Sequence, residues 1–403
     1  MRAAALEPAK TALVVIDTQN DFCHPQGVNG RAGSDMSRVE AMMAAIRRLV
    51  TRARAAGVTI VWVRSCYDPI YLGPAFVEQL DKAGLGGGIC RSGTTGSEWY
   101  GDLQPDLGRG EIELTKHRNS AFWDTAIDLA LRTAGVETVL LTGISSCGCV
   151  DSTGRDAFFR NYRVVLVQDA STSYSLARHE ATLERYRYFF GSVLDTQSIL
   201  DAWDLPSRRT ELSAATAKRA LLICGMQQDL AGPGSLAARC GFDCADADAV
   251  AGRIRELATN YRAAGDLVVH GHFEAADWAT PPAWKHQLTA AFGGTIPCRP
   301  GTPGADGTPG IDTASEDVVI TFRRWSPFAE TGLDLLLRSN GITEVAFVGA
   351  LPGRFGRATA IDAANLDIAA SVVADAVTTL EPGSGRSLHD PLVTIRLAHE
   401  LTL

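Results

Sequence analysis

The residues best suited to covalent chemistry lie in one stretch, residues 142–157, which reads T-G-I-S-S-C-G-C-V-D-S-T-G-R-D-A. A largely apolar strand is predicted before it, and a helix is predicted to start at Cys149 within it. Backbone N–H groups and the positive end of the helix dipole at such a start lower the pKa of a thiol, which favours a nucleophile. The alternative is that Cys147 and Cys149 are two small buried residues at a strand end, as unreactive cysteines usually are.

Two further side chains with suitable chemistry follow other predicted strands. Asp17 ends the apolar strand predicted at 11–16, and Lys116 follows the strand predicted at 112–115. An open α/β sheet collects its reactive groups at the carboxyl ends of its strands. We therefore expect Asp17, Lys116 and Cys149 to lie together as a catalytic triad.

The three segments resemble the isochorismatase-like cysteine hydrolase superfamily, which includes nicotinamidases, N-carbamoylsarcosine amidohydrolases and ureidoacrylate or biuret amidohydrolases. The similarity runs from about residue 12 to residue 172 and includes V-V-I-D-T-Q-N-D-F-C-H-P, S-A-F-W-D-T-A-I-D-L-A-L-R and C-V-D-S-T-G-R-D-A-F-F. The family pattern, a Cys followed by V-x-S-T, favours Cys149 over Cys147 as the nucleophile. The resemblance implies a three-layer α/β/α fold around a doubly wound, mainly parallel sheet, and a cysteine amidohydrolase that acts on small linear amides or ureido compounds.

The residue types predict a mechanism. Asp17 takes the thiol proton of Cys149, while Lys116 holds the carboxylate and steadies the developing anion. The resemblance places a cis peptide bond at Ile144–Ser145, which would aim the N–H of Ser145, with that of Cys149, at the oxyanion. The resulting thioester is then hydrolysed by water.

The substrate assignment depends on short segments around the predicted site. Residues 96–98 and 120–125 look most like the ureidoacrylate and biuret branch, and the glycine-containing segment 68–105 is typical of a lid or substrate loop. The alternative for that segment is a disordered crossing. Candidate substrate contacts are Gln19, Phe22, Tyr67, Trp99 and Phe122.

No metal and no cofactor is expected. Nicotinamidases carry Asp-x-His after the second strand, whereas this chain reads V-R-S-C-Y-D-P at 63–69. In the second half, His270 and His272 share one face of a predicted strand, but no third ligand can be named. Isochorismatases proper, which cleave a vinyl ether, lack the nucleophilic Cys, so ether hydrolysis is only an alternative.

The second half of the chain repeats the first. The matched segments share offsets of 206 to 208 residues, which indicates two copies of one domain. The predicted divisions are a catalytic domain at 1–203, a linker at 204–217 and a second domain at 218–403.

The second copy lacks the reactive groups. Gly225 stands at the position of Asp17, Phe322 at that of Lys116 and Phe355 at that of Cys149. The second copy is therefore predicted to be a non-catalytic pseudoenzyme domain that packs on the first as an internal pseudo-dimer, with a further homo-oligomer left open. Side chains that both copies keep are expected to be framework residues, and in the first copy these are Asp21, Asp128, Arg132 and Asp156.

Composition excludes some partners. A chain of 403 residues with a formal net charge of −8 shows no basic patch for nucleic acid, and no apolar run approaches the roughly 18 residues that span a bilayer. Nine cysteines without scaffold-like spacing and no secretory signal predict a cytoplasmic protein. A small-molecule substrate is the expected partner, and a non-catalytic binding or regulatory protein is the alternative from another class.

Overall fold

The computed structural model describes residues 6–85, 88–204, 218–380 and 393–401. The chain divides into two compact units, Met1–Glu211 and Leu212–Leu403, called here the N-terminal and the C-terminal unit. The predicted linker at 204–217 lies outside the described residues, apart from Asp204, which ends a helix.

The described part of the N-terminal unit is built on one sheet of parallel strands. These are β1 (Thr11–Ile16), β2 (Thr59–Ser65), β3 (Ile112–Lys116), β4 (Thr138–Ile144), β5 (Arg163–Thr172) and β6 (Ser192–Leu194). Their order across the sheet is β3-β2-β1-β4-β5-β6. Because β1 is central and covered on both faces, its sequence T-A-L-V-V-I is buried throughout and nearly continuous in apolar residues.

Helices flank this sheet. They are α1 (Asn20–Cys23), α2 (Val28–Arg31), α3 (Val39–Ala56), α4 (Pro74–Lys82), α5 (Ile127–Thr133), α6 (Cys149–Phe159), α7 (Leu176–Arg185) and α8 (Thr196–Asp204). The longest, α3, buries Met42, Ile46, Leu49 and Ala53, which recur at the spacing of one helical face. It ends at Gly57, whose φ of 73° is the left-handed conformation that suits glycine at a helix end.

Two apolar cores make the N-terminal unit a three-layer α/β/α structure. Leu13 and Val15 of β1 belong to the core that contains α3 and α8. Val14 and Ile16, which point to the other face of the sheet, belong to the core that contains α5, α6 and α7. The predicted fold class is confirmed.

The described part of the C-terminal unit has the same topology. Its parallel strands are β7 (Lys218–Cys224), β8 (Leu267–Phe273), β9 (Val318–Phe322), β10 (Ile342–Ala350), β11 (Ala369–Thr378) and β12 (Thr394–Arg396). Its helices are α9 (Leu236–Arg239), α10 (Ala247–Ala263), α11 (Pro282–Ala291), α12 (Leu333–Ser339) and α13 (Arg357–Asn365). The order β9-β8-β7-β10-β11-β12 matches that of the N-terminal unit strand for strand.

The periodicity of the sequence predicts helices at about 122–134 and 175–192, and both are shorter in the structure. The first, α5, begins only at Ile127, because the preceding residues form turns. The second, α7, ends at Arg185 and passes into a π-helical turn, Tyr186–Phe190, and the strand β6 that follows was not predicted. The segment at 68–105 contains α4, and its role as a lid or substrate loop stays a prediction. Among the described residues, no helix is long and apolar enough to span a membrane.

Candidate active site

The carboxyl ends of four adjacent strands converge on a group of buried polar side chains. Asp17 directly follows β1, Ser65 ends β2, Lys116 ends β3, and Cys149 begins α6 after β4. The register pairs Ser65 with Lys116 across β2 and β3. The strand order reverses between β1 and β4, and open α/β sheets bind their ligands at such a point.

The Lys116 ammonium is the centre of this group. It has three N–H donors, and the structure places Asp17 Oδ2 at 2.8 Å, Ser65 Oγ at 2.7 Å and Cys149 Sγ at 3.3 Å from its Nζ. Burial alone would lower the pKa of Lys116, but the Asp17 carboxylate, by its charge and by the hydrogen bond that it accepts, outweighs burial, and that pKa is raised well above its ordinary value. Lys116 is therefore a fixed cation between a carboxylate and a sulfur.

Asp17 is held by its backbone as well as its side chain. Its φ is 55°, in the left-handed region that aspartate enters more readily than most residues. Its N–H donates to the carbonyl of Val63 at 2.8 Å, and its Oδ1 accepts from Ser65 Oγ at 3.0 Å. Asp17 and Lys116 side chains are both fully buried, so the two charges are screened little by water.

Cys149 lies where a helix start was predicted, but its pKa differs from the prediction. The pKa of the thiol is raised to about 12, chiefly by burial and next by the Asp17 carboxylate, while Lys116 opposes the rise. The prediction of a lowered thiol pKa is wrong, because loss of solvation and the Asp17 carboxylate outweigh the Lys116 cation. The resting sulfur is a thiol, so it needs a base to become a nucleophile.

Ser65 is the part of the site that the sequence analysis missed. Its Oγ contacts Asp17, Lys116 and also the Tyr67 hydroxyl, at 3.1 Å. A usable signal was present: Ser65 directly follows a strand that the sequence predicts at about 58–64, and the residue 208 positions later is Phe273.

The loop between β4 and α6 brings Cys147 to a different set of groups. The Ile144–Ser145 peptide bond is cis, at the position that the resemblance implies. The sulfur of Cys147 lies 3.3 Å from Ser145 Oγ and 3.2 Å from Ser173 Oγ, whereas the sulfur of Cys149 faces Lys116. The geometry thus favours Cys149 as the reactive cysteine, and the oxyanion role of Ser145 and Cys149 stays a prediction.

Of the five candidate substrate contacts, Tyr67 contacts the polar group through Ser65 Oγ, and its ring centroid lies 6.0 Å from Lys116 Nζ. Phe122 is buried in the same apolar core as Cys149. Phe22 is buried in the opposite core, and Trp99 is half-buried against the edge of Trp62.

The Gln19 side chain forms hydrogen bonds to backbone groups of neighbouring segments. Its side-chain nitrogen donates to the carbonyls of Ser65, at 3.0 Å, and Ser97, at 2.9 Å, and its oxygen accepts from the Ser65 N–H at 2.8 Å. These bonds tie the segment at 88–100 to the ends of β1 and β2, so the structure gives Gln19 a framework role. Its predicted contact with substrate stays a prediction.

The segment at 88–100 lies beside the site. Tyr100 N donates to the Thr18 carbonyl at 2.8 Å, and Cys90 N donates to Asp21 Oδ2 at 2.7 Å. Asp21 therefore has the framework role that was predicted for it. Its counterpart Asp229 accepts from the N–H of Cys298 at 2.8 Å in the C-terminal unit.

At the matching edge of the C-terminal unit, apolar rings replace the polar group. Phe322 and Phe355 pack at a centroid distance of 5.0 Å, and Phe273 packs against them at 5.6 Å and 5.3 Å. Gly225 has a φ of 67°, and a Cβ there would lie 2.9 Å from the Phe355 ring. The rings fill the volume that the charged group occupies in the N-terminal unit.

Neither unit shows a metal centre in the described residues, where no group of three or more His, Cys, Asp and Glu side chains is placed to hold an ion. His270 Nε2 lies 2.9 Å from Asp317 Oδ2, which also accepts from Arg262 at 2.6 Å. The first histidine of the His270-x-His272 pair thus hydrogen-bonds to the Arg262–Asp317 ion pair.

Comparison with known proteins follows the division into units. A family model described as the Isochorismatase domain matches residues 11–198 and, a second time, residues 219–389. The chain belongs to this family. The two matches confirm the tandem duplication.

Individual relatives match about half of the chain. Ureidoacrylate amidohydrolase RutB of Methylobacterium radiotolerans is 35% identical over 217 residues, which is 51% of this chain and 83% of the relative. A cysteine hydrolase from Pseudomonas syringae pv. phaseolicola is 25% identical, with a TM-score of 0.43 over 49% of this chain and 93% of its own. N-carbamoylsarcosine amidase from Thermoplasma acidophilum is 28% identical, with a TM-score of 0.39 over 46% of this chain and 96% of its own.

Proposed function

We propose that the N-terminal unit is a cysteine amidohydrolase that cleaves a C–N bond of a small amide or ureido compound through a thioester on Cys149. One observation carries the proposal: the buried Lys116 ammonium contacts both the Asp17 carboxylate and the Cys149 sulfur. A carboxylate base and a thiol that both contact one buried cation, at the edge of the sheet where ligands bind, are the parts that nucleophilic catalysis needs.

The first half of the reaction converts the Cys149 thiol to a thioester. Since the pKa of the Cys149 thiol is about 12, few molecules hold a free thiolate at neutral pH, so Asp17 accepts the proton as the sulfur attacks the carbonyl carbon. Lys116 stays charged and steadies the negative charge that passes from Asp17 to the sulfur. The tetrahedral adduct collapses when the protonated Asp17 gives its proton to the leaving nitrogen, which breaks the C–N bond and leaves a thioester.

The second half regenerates the enzyme. Asp17, again a carboxylate, takes a proton from water, and the hydroxide equivalent attacks the thioester carbonyl. The sulfur leaves and recovers its proton from Asp17. In this mechanism the N–H groups of Ser145 and Cys149 stabilise both oxyanions, for which donors are worth about 3–4 kcal/mol each in other enzymes.

The proposed substrates are linear amides and ureido acids. The similarity to a ureidoacrylate amidohydrolase, at 35% identity over most of that relative, supports a substrate whose cleaved C–N bond belongs to a carbamoyl or ureido group. No metal takes part in the proposed steps, since Asp17 and Lys116 supply both the base and the charge. The C-terminal unit, with Phe355 in place of the nucleophile, is proposed to be non-catalytic.

The test is a release assay on a substrate panel of ureido acids, N-carbamoyl amino acids and simple carboxamides, with ammonia or amine as the product measured. The full chain is compared with Cys149→Ser, and Cys147→Ser serves as the matched control two residues away. We expect Cys149→Ser to abolish turnover and Cys147→Ser to retain it. Turnover that survives in Cys149→Ser would reject the proposal, and a wild-type chain that binds panel members without turnover would favour a binding protein.

A further inference from the structure

We propose that Ser65 is a positioning residue of this reaction, whose hydroxyl sets the direction of the Lys116 ammonium and the Asp17 carboxylate and thereby the reactivity of Cys149. The inference rests on the proposed function of the N-terminal unit. Ser65 acts through its two neighbours, so its loss is expected to affect the chemical step more than substrate binding.

Counting protons fixes the role of each group. A hydroxyl has one donor and two acceptor positions, and an ionised carboxylate can only accept. Ser65 Oγ therefore donates to Asp17 Oδ1 at 3.0 Å and accepts from Lys116 Nζ at 2.7 Å. Its remaining acceptor position serves Tyr67, whose hydroxyl lies at 3.1 Å. This arrangement uses every position of the Ser65 hydroxyl and orients both charged groups.

The C-terminal unit supplies an independent observation. The counterpart of Ser65 is Phe273, which pairs with Phe322 across β8 and β9 as Ser65 pairs with Lys116 across β2 and β3. Ser65 was thus replaced together with the three proposed reactive groups.

Framework residues behave differently. Gln227 in the C-terminal unit makes the same bonds to Phe273 that Gln19 makes to Ser65: its side-chain nitrogen donates to the residue's carbonyl, and its oxygen accepts from the N–H. The glutamine is retained where the reactive groups are not. The Ser65 hydroxyl is therefore absent where the reactive groups are absent, whereas the backbone of this position keeps its bonds to the framework glutamine in both units.

Removing the hydroxyl has a defined local effect. Ser65→Ala removes the acceptor of one Lys116 N–H and the donor to Asp17 Oδ1. The bonds from Gln19 to the N–H and the carbonyl of residue 65, at 2.8 Å and 3.0 Å, remain. Losing a hydrogen bond to a charged group corresponds to a fall in kcat of about 10- to 100-fold. KM is expected to change little, because Ser65 contacts catalytic groups and not the proposed substrate.

The experiment uses the full chain and three variants: Ser65→Ala, Ser65→Thr, which keeps the hydroxyl, and Ser171→Ala. Ser171 is a matched control because it is buried and its Oγ donates to a backbone carbonyl, that of Val167, at 2.8 Å. We measure kcat, KM and the rate at which iodoacetamide alkylates Cys149, located by peptide mapping, and check folding by circular dichroism.

Ser65→Ala is expected to lower kcat and the alkylation rate together, Ser65→Thr to restore both to within about threefold of wild type, and Ser171→Ala to match wild type. Wild-type rates in folded Ser65→Ala, or no recovery in Ser65→Thr, would overturn the inference. If Ser65→Ala does not fold, Ser65→Cys, a weaker hydrogen-bonding group of similar size, takes its place. Absence of turnover in the wild type would count against the proposed function alone, since the alkylation rates still report on Ser65.

Discussion

Replacing Asp17 with asparagine tests whether the buried pair of charges works as one unit. The two side chains keep nearly the same shape, but asparagine cannot accept a proton as a base and carries no charge to balance Lys116. We expect Asp17→Asn to abolish turnover and to destabilise the N-terminal unit. The double variant Asp17→Asn/Lys116→Met is expected to recover stability without recovering turnover.

The magnitude follows from the geometry. Two unit charges 2.8 Å apart, the distance between Lys116 Nζ and Asp17 Oδ2, attract by about 6 kcal/mol at an effective dielectric constant of about 20. The unbalanced lysine can escape part of this cost by losing its proton, which at pH 7 costs about 1.4 kcal/mol for each pH unit below its ordinary pKa of about 10.4. The loss is thus limited to about 5 kcal/mol, consistent with the roughly 3–5 kcal/mol found when one partner of a buried pair is removed.

The assay is chemical denaturation of the full chain, with hydrogen exchange of β1 and β3 peptides to assign the change to the N-terminal unit. Asp102→Asn is the matched control, because Asp102 pairs with Arg47 at 2.6 Å but both side chains are exposed, at 74% and 47%. Its cost is expected to be much smaller than that of Asp17→Asn, because water screens an exposed ion pair. An Asp17→Asn cost as small as that of Asp102→Asn, or a double variant no more stable than the single one, would refute the reasoning.

Three further outcomes are expected. Gly225→Ala should destabilise the C-terminal unit by about 1–3 kcal/mol in denaturant unfolding, because alanine is strained at a φ of 67° and its Cβ meets Phe355, while turnover stays at the wild-type level; a neutral effect on stability would contradict the packing. Because the folded pKa of Cys149 is raised to about 12, the unfolded chain releases this proton first, so stability falls from the ordinary thiol pKa upward by as much as about 1.4 kcal/mol per pH unit. Unfolding measured between about pH 9 and 10.5 should therefore be less steep with pH in Cys149→Ser than in wild type, and equal slopes would argue against a buried neutral thiol. Turnover should survive dialysis against EDTA, and a loss that zinc or magnesium restores would show a metal requirement.

The sequence predicts the framework well because its signals are local and repeated. The apolar run before Asp17 and the strand predicted before Lys116 indicate parallel strands, and the carboxyl ends of such strands meet at one edge of the sheet. The internal repeat predicts the same topology for the second half of the chain. Strand β6 escaped prediction because only three residues form it, Ser192–Leu194, and all are half-buried.

The electrostatics of the site could not be read from the sequence. A helix start and a nearby lysine both predict a lowered thiol pKa, but the sign is decided by how completely Cys149 is buried and by the carboxylate beside it. Both depend on packing between distant segments. Ser65 was missed for a related reason, since a serine at a strand end has no distinctive chemistry until its neighbours are known.

The most direct measurement is the mass of the covalent intermediate. The full chain is mixed with a turned-over member of the amide and ureido panel, quenched in acid within the first turnovers, and digested for mapping. An acyl mass on the Cys149 peptide, released by hydroxylamine and absent from Cys149→Ser and Asp17→Asn, is the predicted result. Turnover at the wild-type rate with the acyl group on Cys147, on another residue, or on no residue under conditions that trap thioesters would contradict the account.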